Sequence, residues 1–108
     1  MKRGIIGVLL GVMLTARMGV LHNTETGYTE TWYNLPMQKA LNYRASEGFS
    51  IDYWERTSDG CKMNGPYIIL AADESVPMGT IIETSHGLGM VLDQHQTDAN
   101  VIDLAVTW

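Results

Sequence analysis

Residues 67–108 read YIILAADESVPMGTIIETSHGLGMVLDQHQTDANVIDLAVTW and decide the fold class, because short apolar runs alternate there with turn signals. Runs rich in Ile, Val and Leu that end at Pro, Gly or Asp are typical of strands. The first of them, YIILAA (67–72), is apolar without interruption, which predicts a strand buried on both faces. Several short strands at this spacing, with little helix, predict a small barrel or sandwich.

The middle of the chain adds two strands and a helix to this picture. TGYTETWY (26–33) alternates Thr with aromatic residues and Glu, as a half-exposed strand does. In NLPMQKALNYRAS (34–46) the apolar residues recur at helical spacing, which predicts a short amphipathic helix capped by Asn34. FSIDYWER (49–56) predicts a strand, and TSDGCKMNGP (57–66) has the Asp-Gly and Asn-Gly-Pro punctuation of a loop.

The first residues carry the pattern of an export signal. Lys2 and Arg3 precede an uncharged apolar stretch, Gly4–Ala16, whose length suits the h-region of a secretory signal. A spanning helix needs about 20 apolar residues, and Arg17 interrupts the stretch before that length. Export is therefore expected, with the segment either cleaved or kept as a short anchor. A buried N-terminal helix is the alternative interpretation.

One domain is predicted to follow this segment. We place a signal peptide or signal-anchor helix at 1–21 and a single domain at 22–108, located outside the cell or in the cell envelope. The net charge of −5, without a cluster of Lys and Arg, makes nucleic acid an unexpected partner. Cys61 is the only cysteine, so no disulfide can form within the chain.

No cofactor and no metal ion are predicted. His86 and His95 lie near Asp93 in the sequence, but one is in a turn and the other in a loop. They lack the helical or hairpin spacing that would aim both imidazoles at one ion. A lone cysteine is also a poor basis for a zinc site.

Three aspartates each follow a short apolar run. Asp73 ends IILAAD, Asp93 ends GMVLD and Asp103 ends NVID. One acid at a strand end is ordinary turn chemistry. Three of them in a short chain either mark three unrelated turns or bring strand ends together at one site.

The order of these elements resembles the 3D domain, a family named for three aspartates. That family belongs to the double-psi β-barrels, with membrane-bound lytic transglycosylase A and the rare lipoprotein A-like proteins. The family's A-x-D strand end matches here at Asp73, and its P-x-G-T turn matches at residues 77–80. Its glycine-bearing strand matches the run before Asp93, and its I-D strand matches at Asp103. The resemblance covers 67–108 and implies a mainly β fold: a small six-stranded double-psi β-barrel with one short helix.

The resemblance also implies an activity on peptidoglycan. Lytic transglycosylases cleave the bond between N-acetylmuramic acid and N-acetylglucosamine, using one carboxyl group first as acid and then as base. The third aspartate is catalytic in these relatives, so Asp103 is the predicted acid/base, with Asp93 and Asp73 holding its proton and the sugar. The expected partners are glycan strands, with a tether to the membrane through the N-terminal segment. The residues predicted to bind substrate are Thr80, His95 and Trp32.

Simpler interpretations remain open for each residue and for the function. Asp73 and Asp93 can accept backbone N–H groups in their own turns, and Asp103 can face solvent on the polar side of its strand. Where the family has a glycine-rich stretch containing a lysine, this chain has QHQTDAN (94–100). That difference favours the alternative of a non-catalytic barrel that binds cell-wall glycan or an envelope protein. A third possibility is a small phage or mobile-element protein that acts on the host envelope.

Overall fold

The computed structural model describes residues 20–108, which form eight strands and one helix. The prediction of a mainly β fold with one short helix is confirmed, but the predicted number of six strands is wrong. The elements in chain order are β1 Leu21–His22, β2 Thr29–Tyr33, α1 Gln38–Ser46, β3 Tyr53–Glu55, β4 Lys62–Asn64, β5 Tyr67–Ala71, β6 Ile81–Thr84, β7 Gly87–Asp93 and β8 Val101–Ala105.

The predicted signal or anchor segment, 1–21, lies outside the described residues except for its last two positions. Of these, Leu21 belongs to β1, where it is buried and pairs with Glu30 of β2. Within residues 20–108, no helix has the length and apolar character needed to cross a membrane.

The strands form one mixed sheet with β5 at its centre. β7 runs parallel to β5 along one edge, while β4 and β8 share the other edge, both antiparallel to β5. β8 in turn pairs in parallel with β2, which carries β1. In the described part of the chain β1, β3 and β6 each have a single neighbour, so these pairings do not close the sheet into a ring.

Apolar side chains cover both faces of β5. Neighbouring side chains on a strand point to opposite faces, so Ile68 and Leu70 enter one cluster and Ile69 the other. All three are fully buried, which confirms the prediction from YIILAA. We call the first cluster the inner core (Cys61, Met63, Ile68, Leu70, Ala72, Ile82, Val91, Ile102, Leu104 and Val106). The second is the helix-side core (Met37, Leu41, Ile69, Leu92 and Ala105).

The helix packs on the outside of the sheet. The predicted cap is wrong, since Met37 is the N-cap residue and makes no side-chain capping bond. Asn34 instead donates its Nδ2 to the carbonyl of Thr107, 3.0 Å away. The buried Arg44 anchors the other end of α1, because its Nε donates to the carbonyl of Leu92 in β7 at 2.8 Å.

One predicted loop contains a strand, and one predicted strand buries a charged residue. β4 lies inside TSDGCKMNGP, and all three of its residues are buried. Three residues are too few for an alternating pattern to be recognised. In β2, the charged Glu30 is fully buried, and it accepts hydrogen bonds from the Asn23 side chain and from the backbone N–H and hydroxyl of Ser85.

Candidate functional site

The second and third aspartates flank the end of the central strand. Ala71, the last residue of β5, pairs with Asp93 of β7 on one side and with Asp103 of β8 on the other. The register of β5 and β7 shifts by one residue just before this point, which brings Asp93 level with Ala71. Neighbouring strands are about 4.8 Å apart, so the two acids lie two strand spacings from each other, one on each side of β5.

His95 bridges these two carboxylates. Its Nδ1 lies 3.3 Å from Asp93 Oδ2 and its Nε2 lies 3.2 Å from Asp103 Oδ2. The loop after β7 turns back toward β8, which places the imidazole between the two strand ends. The side chain of His95 is 37% exposed and that of Asp103 is 11% exposed, so the bridge opens to solvent on the His95 side.

Two further side chains complete the cluster. Gln96 donates its Nε2 to Asp103 Oδ2 at 3.1 Å. The ring of Tyr33 meets His95 edge-to-face, with centroids 4.5 Å apart. Its hydroxyl is buried and makes no hydrogen bond of standard geometry within residues 20–108. Burial, followed by the charges of Asp93 and Asp103, raises the pKa of this phenol, so Tyr33 stays protonated and is a donor.

The environment of Asp103 raises the pKa of its carboxyl group above the ordinary value. The residue is 8% exposed. Burial raises the pKa of its carboxyl group, and the nearby charge of Asp93 adds to the rise. His95 and the hydrogen bond from Gln96 act in the opposite direction but do not cancel it. The protonated, neutral form of Asp103 is therefore more favoured than that of a solvent-exposed aspartate.

The two contacts of His95 depend on where the protons lie. Each contact is a hydrogen bond only when a proton lies on that link, and a neutral imidazole carries one N–H. A neutral ring between two carboxylates therefore makes one hydrogen bond, and a second forms when the ring or one of the carboxyl groups carries a further proton. Asp93, His95 and Asp103 are linked in this way. We call these three residues the proton bridge.

Asp73 lies apart from the proton bridge. Its Oδ2 accepts the backbone N–H of Ser75 at 2.9 Å, which closes its own turn. Hydrogen bonds from the side chain and backbone of Ser75 lower the pKa of this exposed carboxylate. The structure therefore joins two of the three aspartates and leaves the first as a turn residue beyond the end of β5.

The remaining predicted binding residues divide between the two faces of the sheet. His95 is in the proton bridge. Thr80 is part of the turn before β6, where its Oγ1 donates to the carbonyl of Pro77 at 2.6 Å. Trp32 packs against the inner core, whereas its neighbour Tyr33 packs against the helix-side core. Trp32 therefore lies on the opposite face from the proton bridge.

Gln96 was not predicted from the sequence as a partner of Asp103. The available signal was the order Gln-His-Gln directly after Asp93, in a loop that must return to a strand two places away in the sheet. Polar side chains in such a loop can reach back over the strand ends. The loop 94–100 thus supplies both side-chain partners of Asp103.

This arrangement is suited to proton transfer. A buried carboxyl group of raised pKa lies 3.2 Å from a partly exposed imidazole, whose other nitrogen contacts a second carboxylate. Such a group can donate a proton to a bound substrate and take one back. Comparisons of this chain with protein-family models, with curated proteins and with solved structures find no match.

Proposed function

We propose that this protein is a peptidoglycan-active, lytic transglycosylase-like enzyme that uses Asp103 as its general acid and base. The observation that carries the proposal is the buried carboxyl group of Asp103, whose Oδ2 lies 3.2 Å from Nε2 of His95. An acid that works near neutral pH needs a raised pKa. Among Asp73, Asp93 and Asp103, burial raises the pKa of Asp103, whereas hydrogen bonds lower that of Asp73.

The proposed reaction needs one carboxyl group and no water. Asp103 donates its proton to the glycosidic oxygen, the bond from C1 of N-acetylmuramic acid breaks, and N-acetylglucosamine leaves as an alcohol. The carboxylate then accepts the proton of the muramic acid's own 6-hydroxyl while that oxygen bonds to C1. The product is a 1,6-anhydro ring, and Asp103 is protonated again. An intramolecular nucleophile replaces the second carboxylate of ordinary glycoside hydrolysis.

The other residues of the cluster have supporting roles in this proposal. Asp93 contacts His95, and His95 positions the carboxyl group of Asp103. Tyr33 supplies a phenol that remains protonated. Asp73 and Trp32 lie apart from the proton bridge and have no part in this reaction, whereas Thr80 keeps its predicted role in sugar binding.

The proposed fold and location follow the same resemblance. Two parallel pairings, β2 with β8 and β5 with β7, joined by the antiparallel pair of β5 and β8, support a double-psi arrangement of the 3D type. The charged and apolar pattern of residues 1–21 supports export, to the cell envelope or beyond it. Glycan strands of peptidoglycan are the proposed partner.

Digestion of purified sacculi tests this function. Wild-type protein is expected to release 1,6-anhydro muropeptides, detected by mass spectrometry, and Asp103→Asn is expected to lower the rate by about 10²–10⁴-fold. Asp98→Asn is the matched control, since Asp98 is an exposed acid in the loop 94–100 that precedes β8. It should retain the wild-type rate.

The products and the binding data distinguish the proposal from its alternative. Release of anhydro products by wild type and Asp98→Asn, but not by Asp103→Asn, supports the enzyme. Binding of the wild type to sacculi without any anhydro product would instead assign a non-catalytic glycan-binding role. Equal rates for wild type and Asp103→Asn would remove Asp103 from the mechanism.

A further inference from the structure

A second cluster of chemically active side chains lies at the turns beside the inner core. Asp59 is in the turn between β3 and β4, Cys61 directly precedes β4, and His86 is in the turn between β6 and β7. One potential ligand atom from each residue lies within 4.8 Å of the other two. Oxygen, sulfur and nitrogen ligands from two separate turns thus converge on one point.

The spacing of these atoms is close to that of a metal site. His86 Nδ1 lies 3.2 Å from Asp59 Oδ2. In a tetrahedral zinc site with bonds of about 2.0–2.3 Å, neighbouring ligand atoms are about 3.3–3.8 Å apart. The distance between the carboxylate and the imidazole is therefore already close to that between two ligands of one ion. The thiol has only a short distance to move.

Outer hydrogen bonds hold the two turns in place. Arg56 donates its Nε and Nη2 to the two oxygens of Asp59 at 3.0 and 2.7 Å. The same Nη2 donates to the carbonyl of His86 at 2.9 Å, and the backbone N–H of Cys61 donates to Asp59 at 3.1 Å. Such a shell orients ligands before an ion arrives. The hydrogen bond between His86 and Asp59 is then the link that an ion would replace.

The surroundings restrict solvent but leave an entrance. Cys61 is fully buried, while the side chains of Asp59 and His86 are 22% and 19% exposed. Trp32 meets the His86 ring edge-to-face at 6.4 Å, and Trp108 donates its indole N–H to the carbonyl of Asp59 at 2.9 Å. Aromatic walls of this kind lower the local dielectric constant and strengthen the attraction between a cation and its anionic ligands.

We propose that Asp59, Cys61 and His86 form a three-ligand site for a divalent transition-metal ion, with zinc the ion that the ligand set fits best. Thiolate and imidazole favour zinc over the oxygen-seeking magnesium and calcium ions. Carboxylate and thiolate carry two negative charges against the two positive charges of the ion, and the guanidinium of Arg56, paired with Asp59, adds one further positive charge beside the site. A solvent molecule would take the fourth position. This site is independent of the proposed glycan cleavage.

Binding has a defined proton balance. Burial, followed by the charge of Asp59, raises the pKa of the Cys61 thiol to about 12. Without an ion Cys61 is therefore a neutral thiol, and formation of the metal–sulfur bond releases its proton to solvent. The metal affinity should consequently increase with pH.

Cobalt(II) is the probe that reports directly on the sulfur ligand. Titration of the reduced full-length chain with Co²⁺ should give a thiolate-to-cobalt charge-transfer band that saturates at one equivalent and is bleached by Zn²⁺. Because Cys61 is the only cysteine, this band can arise from no other thiol of the chain. Cys61→Ser should abolish it, with circular dichroism to confirm that the variant folds.

His86→Asn is the second variant, since it leaves the buried thiol in place. It should weaken Zn²⁺ binding by at least about tenfold, the lower bound for loss of an outer-shell group. His22→Asn and His95→Asn are matched controls that should bind Zn²⁺ as the wild type does. Absence of the charge-transfer band in folded wild type would overturn the proposal, as would a His86→Asn variant of unchanged affinity. Loss of binding in His95→Asn alone would also overturn it, by placing the ion at the proton bridge.

Discussion

At the scale of single residues, the proton bridge shows what a sequence pattern can and cannot predict. Asp103 was identifiable because it interrupts the apolar strand VIDLAV, where an acid needs a partner. Its partners were not identifiable, because they depend on the path of the loop 94–100 over the strand ends. That loop has polar residues throughout and no periodic pattern. Asp73 was equally prominent in the sequence, yet its carboxylate bonds within its own turn.

The raised pKa of Asp103 predicts how its replacement changes stability with pH. The folded state binds this proton more tightly than the unfolded state, so the stability contributed by Asp103 is complete below the unfolded-state pKa and is lost as pH rises through the folded-state pKa. Asp103→Asn lacks this loss. Its unfolding free energy relative to wild type, measured with urea between about pH 3 and 7, should therefore increase with pH.

Asp73→Asn is the control, because its stability relative to wild type should change with pH in the opposite direction. The pKa of Asp73 is lowered, so its contribution is present above the unfolded-state pKa and is lost as pH falls through the folded-state value. Relative to wild type, this variant should become less stable as pH rises. Parallel pH profiles for the two variants would contradict the different environments assigned to the two acids.

Gly79 offers a second test at this scale, in the turn that leads into β6. Its φ is +87°, and a Cβ there would lie 2.9 Å from the ring of Phe49. Gly27 has a similar φ of +83° but no atom within 4 Å of the same position. Gly27→Ala should therefore cost about 1–2 kcal/mol of backbone strain. Gly79→Ala should cost about 1–3 kcal/mol more, because of the added contact. Urea unfolding measures both, and equal losses would show that Phe49 moves aside freely.

At the scale of elements, the sequence was most informative where a run was long and apolar. β5, β6, β7 and β8 all fall within runs that predicted strands, and the burial of β5 on both faces was correct. The short strands β1 and β4 were not predicted from the sequence. β4 has three residues, and its place in the sheet depends on pairing with β3 and β5 rather than on its own pattern. The parallel pairing of β5 with β7 is likewise a property of the sheet, not of either run.

One buried cation, together with the apolar contacts of Leu41, attaches α1 to the sheet. Arg44 donates to the carbonyl of Leu92 at 2.8 Å and pairs with Glu47 at 2.6 Å. Arg44→Ala removes a charged donor from a buried carbonyl and should lower the unfolding free energy by about 1.5–3 kcal/mol. Lys39→Ala, on the exposed face of the same helix, should change it by no more than about 0.5 kcal/mol. Urea unfolding compares the two, and equal effects would refute the anchoring role of Arg44.

At the scale of the whole molecule, the sheet separates two clusters of similar composition. Trp32 and Tyr33 are neighbours on β2 and point to opposite faces. Trp32 contacts His86 beside the inner core, and Tyr33 contacts His95 beside the helix-side core. Each histidine is hydrogen-bonded to aspartate, and the two share no hydrogen-bond partner within residues 20–108. One sheet can thus hold an acidic site around Asp103 and a thiol-containing site around Cys61 without a shared hydrogen bond between their histidines.

This separation predicts that the two histidines contribute independently to stability. Changes at sites without shared partners add within about 0.5 kcal/mol. The unfolding free energy lost in the double variant His86→Asn, His95→Asn should therefore equal the sum of the losses in the single variants within that margin. The measurement is urea unfolding of all four proteins in metal-free buffer, so that ion binding adds nothing to the comparison. A larger coupling would mean that β2 transmits strain between Trp32 and Tyr33, and that the two faces work as one unit.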